Sequence, residues 1–259
     1  MSVYALPMFS WRFVPVWRRH FLVWKKLALA SVLGNIAEPL ITLIAFGYGL
    51  GSLLQDVDGM PYIYFLASGS ICMSMMMAAS FEALYSAFSR MHVQKTWDAL
   101  LNAPLALDDV VLAEMLWAAT KALFSGVAIL AVLLALGIGW HWQSLLVLPL
   151  LFLVGMTFAS MGLIFNALAR GYDFFNYYFT LVLTPMVFLS GVYYPVRQLP
   201  EWLQAFSTVL PLTAAVNIVR PLVLGQWPQN FLTDGLILLT YCVGCFYLAV
   251  LLTRRRFLA

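Results

Sequence analysis

The chain contains long stretches of apolar residues, and these limit its possible folds more than any other feature. A helix that crosses a bilayer needs about 20 mostly apolar residues. Six stretches approach or exceed that length, at residues 27–50, 62–79, 111–136, 145–167, 177–192 and 232–252. Only 10% of the 259 residues are charged, whereas a soluble domain carries about 25%. The sequence therefore predicts an all-α, polytopic membrane protein with six transmembrane helices.

The segment 193–227, after the fifth stretch, is partly apolar but contains several prolines. Proline interrupts a helix, and backbone groups without partners are costly in hydrocarbon. We therefore expect one or two short re-entrant or interfacial helices here instead of a regular span. The candidate functional residues of this segment are Tyr193, Pro195, Pro200, Trp202 and Pro211.

The charges are distributed unevenly along the chain. Its 14 Lys and Arg against 11 Asp and Glu give a net charge of +3, which is too balanced for a nucleic-acid-binding protein. With six spans, eleven cations fall on the side of the two termini, only Arg197 and Arg220 lie on the other side, and Lys121 lies near a helix end. The positive-inside rule then predicts that both termini are cytoplasmic.

The first 26 residues are predicted to contain a helix that lies along the cytoplasmic membrane surface. Trp17, Phe21 and Trp24 fall on one helical face, with Arg19 and Lys26 opposite. A solvated tail is the alternative. We thus divide the chain into this N-terminal helix at 1–26, a transmembrane domain at 27–252 and a basic cytoplasmic C-terminus at 253–259.

The sequence lacks the motifs of the common membrane-embedded enzymes. It has no H-E-x-x-H, no G-x-S-G and no G-x-x-x-x-G-K-[ST], so it is not expected to cleave peptides or to bind a nucleotide itself. His20, His92 and His141 lie in three different segments, and the three cysteines lie in apolar runs. We expect no cofactor and no metal in this chain, so any ATP-driven function requires a partner.

The loop between the second and third spans is the most distinctive segment on the side of the termini. It is predicted to form an amphipathic helix that runs to about Leu101, ends at Asn102 and Pro104, and precedes an N-cap at Asp108. Such a helix could bind a groove on a soluble protein, or it could be a solvated connector. Composition alone does not separate these alternatives.

Three parts of the sequence resemble the ABC-2 type transporter permeases, and within them the nodulation protein J branch. They are Glu38-Pro39 in the first span, Phe81-Glu82 with 96–101 and Pro104-Leu105 in the loop, and the run 188–225. The resemblance extends in order over nearly the whole chain, with the family's six spans and cytoplasmic termini.

The resemblance implies a permease subunit in a bacterial inner membrane that exports an amphiphile such as a lipooligosaccharide or a glycolipid-like molecule. It would form a homodimer with two copies of a separate ATPase of the nodulation protein I type, which binds ATP and Mg. A hydrophobic drug or antibiotic is an alternative cargo, and a membrane enzyme or scaffold is an alternative class. The family's ATPase-docking helix corresponds to 86–101, with Phe88, Arg90, Lys95, Trp97 and Asp98, and its re-entrant outer helices correspond to 195–223.

Ionisable side chains inside spans are costly and are therefore functional candidates. Glu38 could contact a polar headgroup or pair across the bundle. Glu114 and Lys121 are seven residues apart on one face of the third span, and Glu82 is expected at the same level. We expect a local charge pair between Glu114 and Lys121, and a polar collar of all three residues that joins the loop to the bundle.

Overall fold

The computed structural model of the chain describes residues 6–54 and 56–258, without the side chains of residues 35, 36, 38 and 258. The prediction for the Glu38 side chain therefore lies outside the described residues. The described part is helical and contains no named β-strand beyond one isolated bridge between Val57 and Met60. The predicted all-α fold class is confirmed.

Ten helices account for the described chain. In order, they are α1 (Phe13–Lys25), α2 (Ala28–Leu50), α3 (Tyr62–Val93), α4 (Thr96–Leu101), α5 (Leu107–Ala135), α6 (Gln143–Leu168), α7 (Phe174–Leu189), α8 (Glu201–Ser207), α9 (Pro211–Val223) and α10 (Phe231–Leu258). A short 3₁₀ turn, Val196–Gln198, lies between α7 and α8. Turns with π-helical hydrogen bonding lie inside α3 and α7, and such turns also form the last residues of α2 and α3.

Five described helices are long and apolar enough to cross a membrane, namely α2, α3, α5, α6 and α10. The predicted span 177–192 corresponds to α7, which is shorter than these five helices. The proline-containing segment forms α8 and α9, two short helices bent by 81° that would count together as a sixth span. Pro200 is the N-cap residue of α8 and Pro211 is the first residue of α9, where a missing backbone N–H is harmless.

Helix α6 lies at the centre of the bundle, in contact with α3, α5, α9 and α10. A glycine lets α5 and α6 approach closely, because a Cβ at Gly155 would lie 3.1 Å from the Cα of Ala119. Small residues at helix contacts are typical of membrane proteins, where packing drives association. Helix α9 is buried among α3, α6 and α10.

Helix α3 is much longer than the predicted span 62–79. It continues to Val93, past Glu82 and Arg90, and only then breaks at Gln94 and Lys95, where Lys95 adopts a left-handed conformation with φ of 50°. The expectation of one separate amphipathic helix is therefore wrong, whereas its predicted end at Leu101 is confirmed by α4. Its first part belongs to α3, because the buried charges there are neutralised by neighbouring helices.

The N- and C-terminal parts of the chain meet at one end of the bundle, called the terminal end below. There the guanidinium of Arg254 pairs with the carboxylate of Asp108, which also accepts a hydrogen bond of 2.9 Å from the backbone N–H of Met8. Phe257 stacks on Trp97 at 5.9 Å. Residues 253–258 therefore continue α10 and do not form a free basic tail. Asp108 is not the N-cap of α5, which is Ala106.

Helix α1 lies against α5 at the terminal end. The indole N–H of Trp17 donates a 3.1 Å hydrogen bond to the hydroxyl of Thr120, and Trp24 stacks on Phe124 at 4.8 Å. The aromatic face thus packs partly on the bundle, since α5 offers both ring contacts and an acceptor for the indole. The position of α1 along the membrane surface stays a prediction. The cations Arg18, Lys25 and Lys26 are exposed.

Candidate functional site

Two carboxylates, Glu82 on α3 and Glu114 on α5, are buried side by side at the terminal end. A buried carboxylate is tolerated only when cations and hydrogen-bond donors compensate its lost hydration. The donors that surround this pair therefore show which helices are fixed to each other.

Glu114 accepts hydrogen bonds from two other helices. Arg90 donates from Nε to Oε1 at 3.0 Å and from Nη2 to Oε2 at 2.5 Å, which is the bidentate geometry typical of strong arginine–carboxylate pairs. The indole Nε1 of Trp97 on α4 donates to Oε1 at 3.0 Å. His20 of α1 places its Nε2 3.4 Å from the same oxygen. One carboxylate thus contacts α1, the end of α3 and α4.

The buried charge of Glu82 is compensated by two cations and one indole N–H. Lys121 lies 2.7 Å from Oε2, Nη1 of Arg90 lies 2.9 Å from Oε1, and the indole N–H of Trp117 donates to Oε1 at 2.9 Å. Arg90 therefore bridges both carboxylates. The two carboxylates and the two cations form a buried charge cluster with a formal charge of zero, defined here as Glu82, Arg90, Glu114 and Lys121.

The structure brings the three residues of the predicted collar together but joins them differently. The expected pair of Glu114 with Lys121 is wrong, because Lys121 bonds to Glu82 and Arg90 occupies Glu114. Seven residues along a helix separate two side chains by about 10 Å, so partners on the neighbouring helix are closer. Spacing patterns contain no signal for the central position of Arg90 or for the contact of His20.

The five residues of the predicted docking helix fall into two groups. Phe88 is buried between the rings of Tyr172 and Phe175, and Arg90 and Trp97 are turned into the bundle. Only Lys95 and Asp98 are exposed. Together with Val93, Gln94 and Ala99 they form the exposed surface around the α3–α4 break, called the tip surface below.

The candidate residues of the segment 193–211 lie at the other end of the bundle. Tyr193 and Pro195 line an apolar cavity of about 430 Å³, and Trp202 is exposed on α8. Nearby, Arg220 of α9 donates hydrogen bonds to the carbonyl oxygens of Phe65 and Gly191, which fixes α9 to α3 and to the turn after α7.

Among the described residues there is no group of three or more His, Cys, Asp or Glu side chains that could hold a metal ion. Cys72, Cys242 and Cys245 are free thiols. The charge cluster is fully occupied by its own partners, so its geometry suits a mechanical connection between helices more than a ligand-binding site.

The sequence matches the family model described as ABC-2 type transporter over residues 12–224. It is 45% identical to nodulation protein J of Rhizobium meliloti strain 1021, over 99% of this chain and 98% of that protein. It is 47% identical to nodulation protein J of Rhizobium leguminosarum bv. trifolii over the same shares. It is also 28% identical to the inner membrane transport permease YadH of Escherichia coli K12, over 83% of this chain and 84% of that protein.

The family model covers most of the described helices, from α1 to the end of α9. The helical fold with its long apolar helices agrees with a multi-pass membrane component of a transporter. The chain therefore belongs to the ABC-2 type transporter family of membrane permeases.

Proposed function

We propose that the chain is the permease subunit of an ATP-driven exporter that moves an amphiphile, of the lipooligosaccharide or glycolipid-like class, across a bacterial inner membrane. Family membership implies a membrane location and a separate ATPase partner. The proposed cargo class rests on the likeness to proteins named nodulation protein J and is an argument by analogy.

The proposed assembly is a homodimer of this chain with two copies of an ATPase of the nodulation protein I type. ATP and Mg would bind to the ATPase, since the sequence has no phosphate-binding loop of its own. Both termini would be cytoplasmic. The eleven cations on the side of the termini support this orientation.

The tip surface is the proposed contact with the ATPase. The observation that carries this proposal is the 3.0 Å hydrogen bond from Trp97 to Glu114, because it links the short helix α4 directly to the buried charge cluster. A partner can shift an equilibrium only by contacting two conformations differently. Movement of α4 would change the Trp97 contact and, through Glu114 and Arg90, the positions of α3 and α5.

The proposal is tested by measuring two properties separately, the binding of the ATPase and the ATP-driven transport that depends on the movement of α4. Charge reversal on the tip surface, Lys95→Glu with Asp98→Lys, is expected to reduce co-purification of the ATPase. The control is Arg18→Glu, which reverses an exposed charge of α1 outside the tip surface. Trp97→Phe keeps a buried ring but removes the indole N–H. It is expected to retain association and to reduce ATP-driven transport roughly tenfold, as for a lost charged hydrogen bond.

Transport is measured as uptake of a fluorescent lipid-linked oligosaccharide by inverted membrane vesicles that contain the permease and its ATPase. Unchanged association in the doubly reversed variant would contradict the tip surface as the docking site. Uptake of a hydrophobic dye without any uptake of the lipid-linked oligosaccharide would contradict the proposed cargo class.

A further inference from the structure

A polar cavity of about 860 Å³ lies at the end of the bundle opposite the terminal end. It is formed by α9, the 3₁₀ turn after α7 and the loop between α2 and α3. Its hydrogen-bonding side chains are Asp58, Ser190, Arg197, Asn217, Arg220 and Gln229. So much hydrogen-bonding capacity in an apolar chain suggests a binding site.

Ser190 provides an independent indication of a ligand. Its side chain is 1% exposed, and its Oγ has no hydrogen-bond partner among the described residues. A buried hydroxyl without a partner costs free energy, so native structures keep few of them without a reason. A hydroxyl group of a ligand in the cavity would supply the missing partner.

The wall of the cavity at Arg220 is fixed before any ligand binds. Arg220 donates a 2.7 Å hydrogen bond to the carbonyl of Gly191 and a 3.1 Å hydrogen bond to the hydroxyl of Ser68, and its guanidinium lies 3.7 Å from the centre of the Phe65 ring. Arg197 forms an ion pair with Asp58. A preformed site loses less conformational entropy on binding than a flexible one.

The chemistry of the lining favours a carbohydrate over a simple anion. Amide and hydroxyl side chains, such as Asn217, Gln229 and Ser190, both donate and accept hydrogen bonds, as the hydroxyl groups of a sugar do. An anion only accepts hydrogen bonds, and the two cations of the lining are already engaged, because Arg197 pairs with Asp58 and Arg220 donates to Ser68 and Gly191.

The apolar cavity of about 430 Å³ adjoins this site, since Pro195 lines both. Its wall is aromatic and aliphatic. The rings of Phe46 and Phe188 lie 6.0 and 5.8 Å from the ring of Tyr193, and Leu50 lies beside them. Neighbouring polar and apolar cavities together complement a molecule with one polar and one apolar part.

We propose that these two cavities form one binding site for an amphiphilic glycoside, with the sugar in the polar cavity and the alkyl chain in the apolar cavity. The inference rests on the proposed function and specifies where its cargo would bind.

The test measures the binding of two soluble probes, maltose and hexyl maltoside, by isothermal titration calorimetry. The permease is held in lipid nanodiscs, without ATPase or nucleotide, and empty nanodiscs give the blank. Hexyl maltoside is expected to bind more tightly than maltose, because only it fills both cavities.

Two matched pairs of variants separate the cavities. Ser190→Ala removes no hydrogen bond within the described protein and should weaken the binding of both probes about five- to tenfold. Its control is Ser125→Ala, which removes the other buried serine hydroxyl without a partner among the described residues. The control should leave the affinity for both probes unchanged. Phe188→Ala should weaken hexyl maltoside roughly tenfold and leave maltose unchanged. Its control is Phe206→Ala, since both rings are about half exposed and Phe206 lies outside the apolar cavity.

The inference would be overturned if neither probe bound the unchanged protein above the blank. It would also be overturned if none of the four variants changed the affinity for either probe. Its failure is distinguishable from failure of the proposed function. Transport that persists at the normal rate in Ser190→Ala and Phe188→Ala, without probe binding, contradicts the site alone. Normal probe binding without any ATP-driven transport contradicts the proposed function alone.

Discussion

Arg90 holds two buried carboxylates on two different helices, and this makes it central to the terminal end. Its guanidinium bonds to Glu114 in bidentate fashion and reaches Glu82 through Nη1. Removing one partner of a buried ion pair is strongly destabilising, because it leaves an uncompensated charge. The stability of this end should therefore depend on which cation belongs to which carboxylate.

A double-mutant cycle tests this pairing. We compare Lys121→Met with Glu82→Gln, and Lys121→Met with Glu114→Gln, by equilibrium unfolding in mixed micelles. The first pair is expected to show a coupling free energy of about 1–3 kcal/mol, because Lys121 lies 2.7 Å from Glu82. The second pair should couple more weakly than the first, because Glu114 and Lys121 are linked only indirectly, through Glu82 and Arg90. A coupling free energy that is larger in the second pair than in the first would contradict this pairing and would support the direct Glu114–Lys121 contact expected from the sequence.

The sequence distances between the partners in this cluster explain why sequence patterns do not predict its ion pairs. Arg90 and Glu114 are 24 residues apart, and Lys121 and Glu82 are 39 apart. Rules of local spacing compare residues on one helix, so they place Glu114 with Lys121. The correct pairs depend on how α3 packs beside α5, and hydropathy contains no information on that packing.

Among the elements, the long apolar helices were the most predictable. Spans 111–136, 145–167 and 232–252 correspond closely to α5, α6 and α10, because hydrocarbon requires continuous apolar helices. The continuation of α3 to Val93 was not predictable in this way, since charged residues end an apolar window without ending a helix. The break at Lys95 has no glycine or proline to signal it.

The contact between α5 and α6 leads to a second prediction. Gly155→Ala would place a methyl group 3.1 Å from the Cα of Ala119, and a backbone atom cannot move aside easily. We expect a loss of about 1–3 kcal/mol in the free energy of unfolding, as for other overpacked cores. The control is Gly244→Ala on α10, where nothing lies within 4 Å of the added methyl group.

The control should be neutral or slightly stabilising, because alanine is the better helix former. Thermal unfolding followed by tryptophan fluorescence measures both variants. If both substitutions lowered the melting temperature equally, the close approach of α5 and α6 would not be the cause.

At the scale of the whole molecule, both termini share one end of the bundle, and the proposed orientation places that end in the cytoplasm. Single cysteines test this orientation. Trp11→Cys and Trp202→Cys replace two highly exposed residues, 85% and 71% accessible, at opposite ends of the bundle. The background carries alanine in place of Cys72, Cys242 and Cys245.

A membrane-impermeant maleimide added to intact spheroplasts is expected to label Trp202→Cys at once. Trp11→Cys should react only after the membrane is permeabilised. The reverse pattern would place the termini outside and would contradict the cation count as a guide to orientation.

The ion pair of Asp108 with Arg254 has a consequence for biosynthesis. The two residues are 146 positions apart, and both are buried. At a translation rate of about 5–20 residues per second, Asp108 precedes its cation by roughly 7–30 seconds. A ribosome that stalls before Arg254 leaves that carboxylate without its arginine inside a half-built bundle.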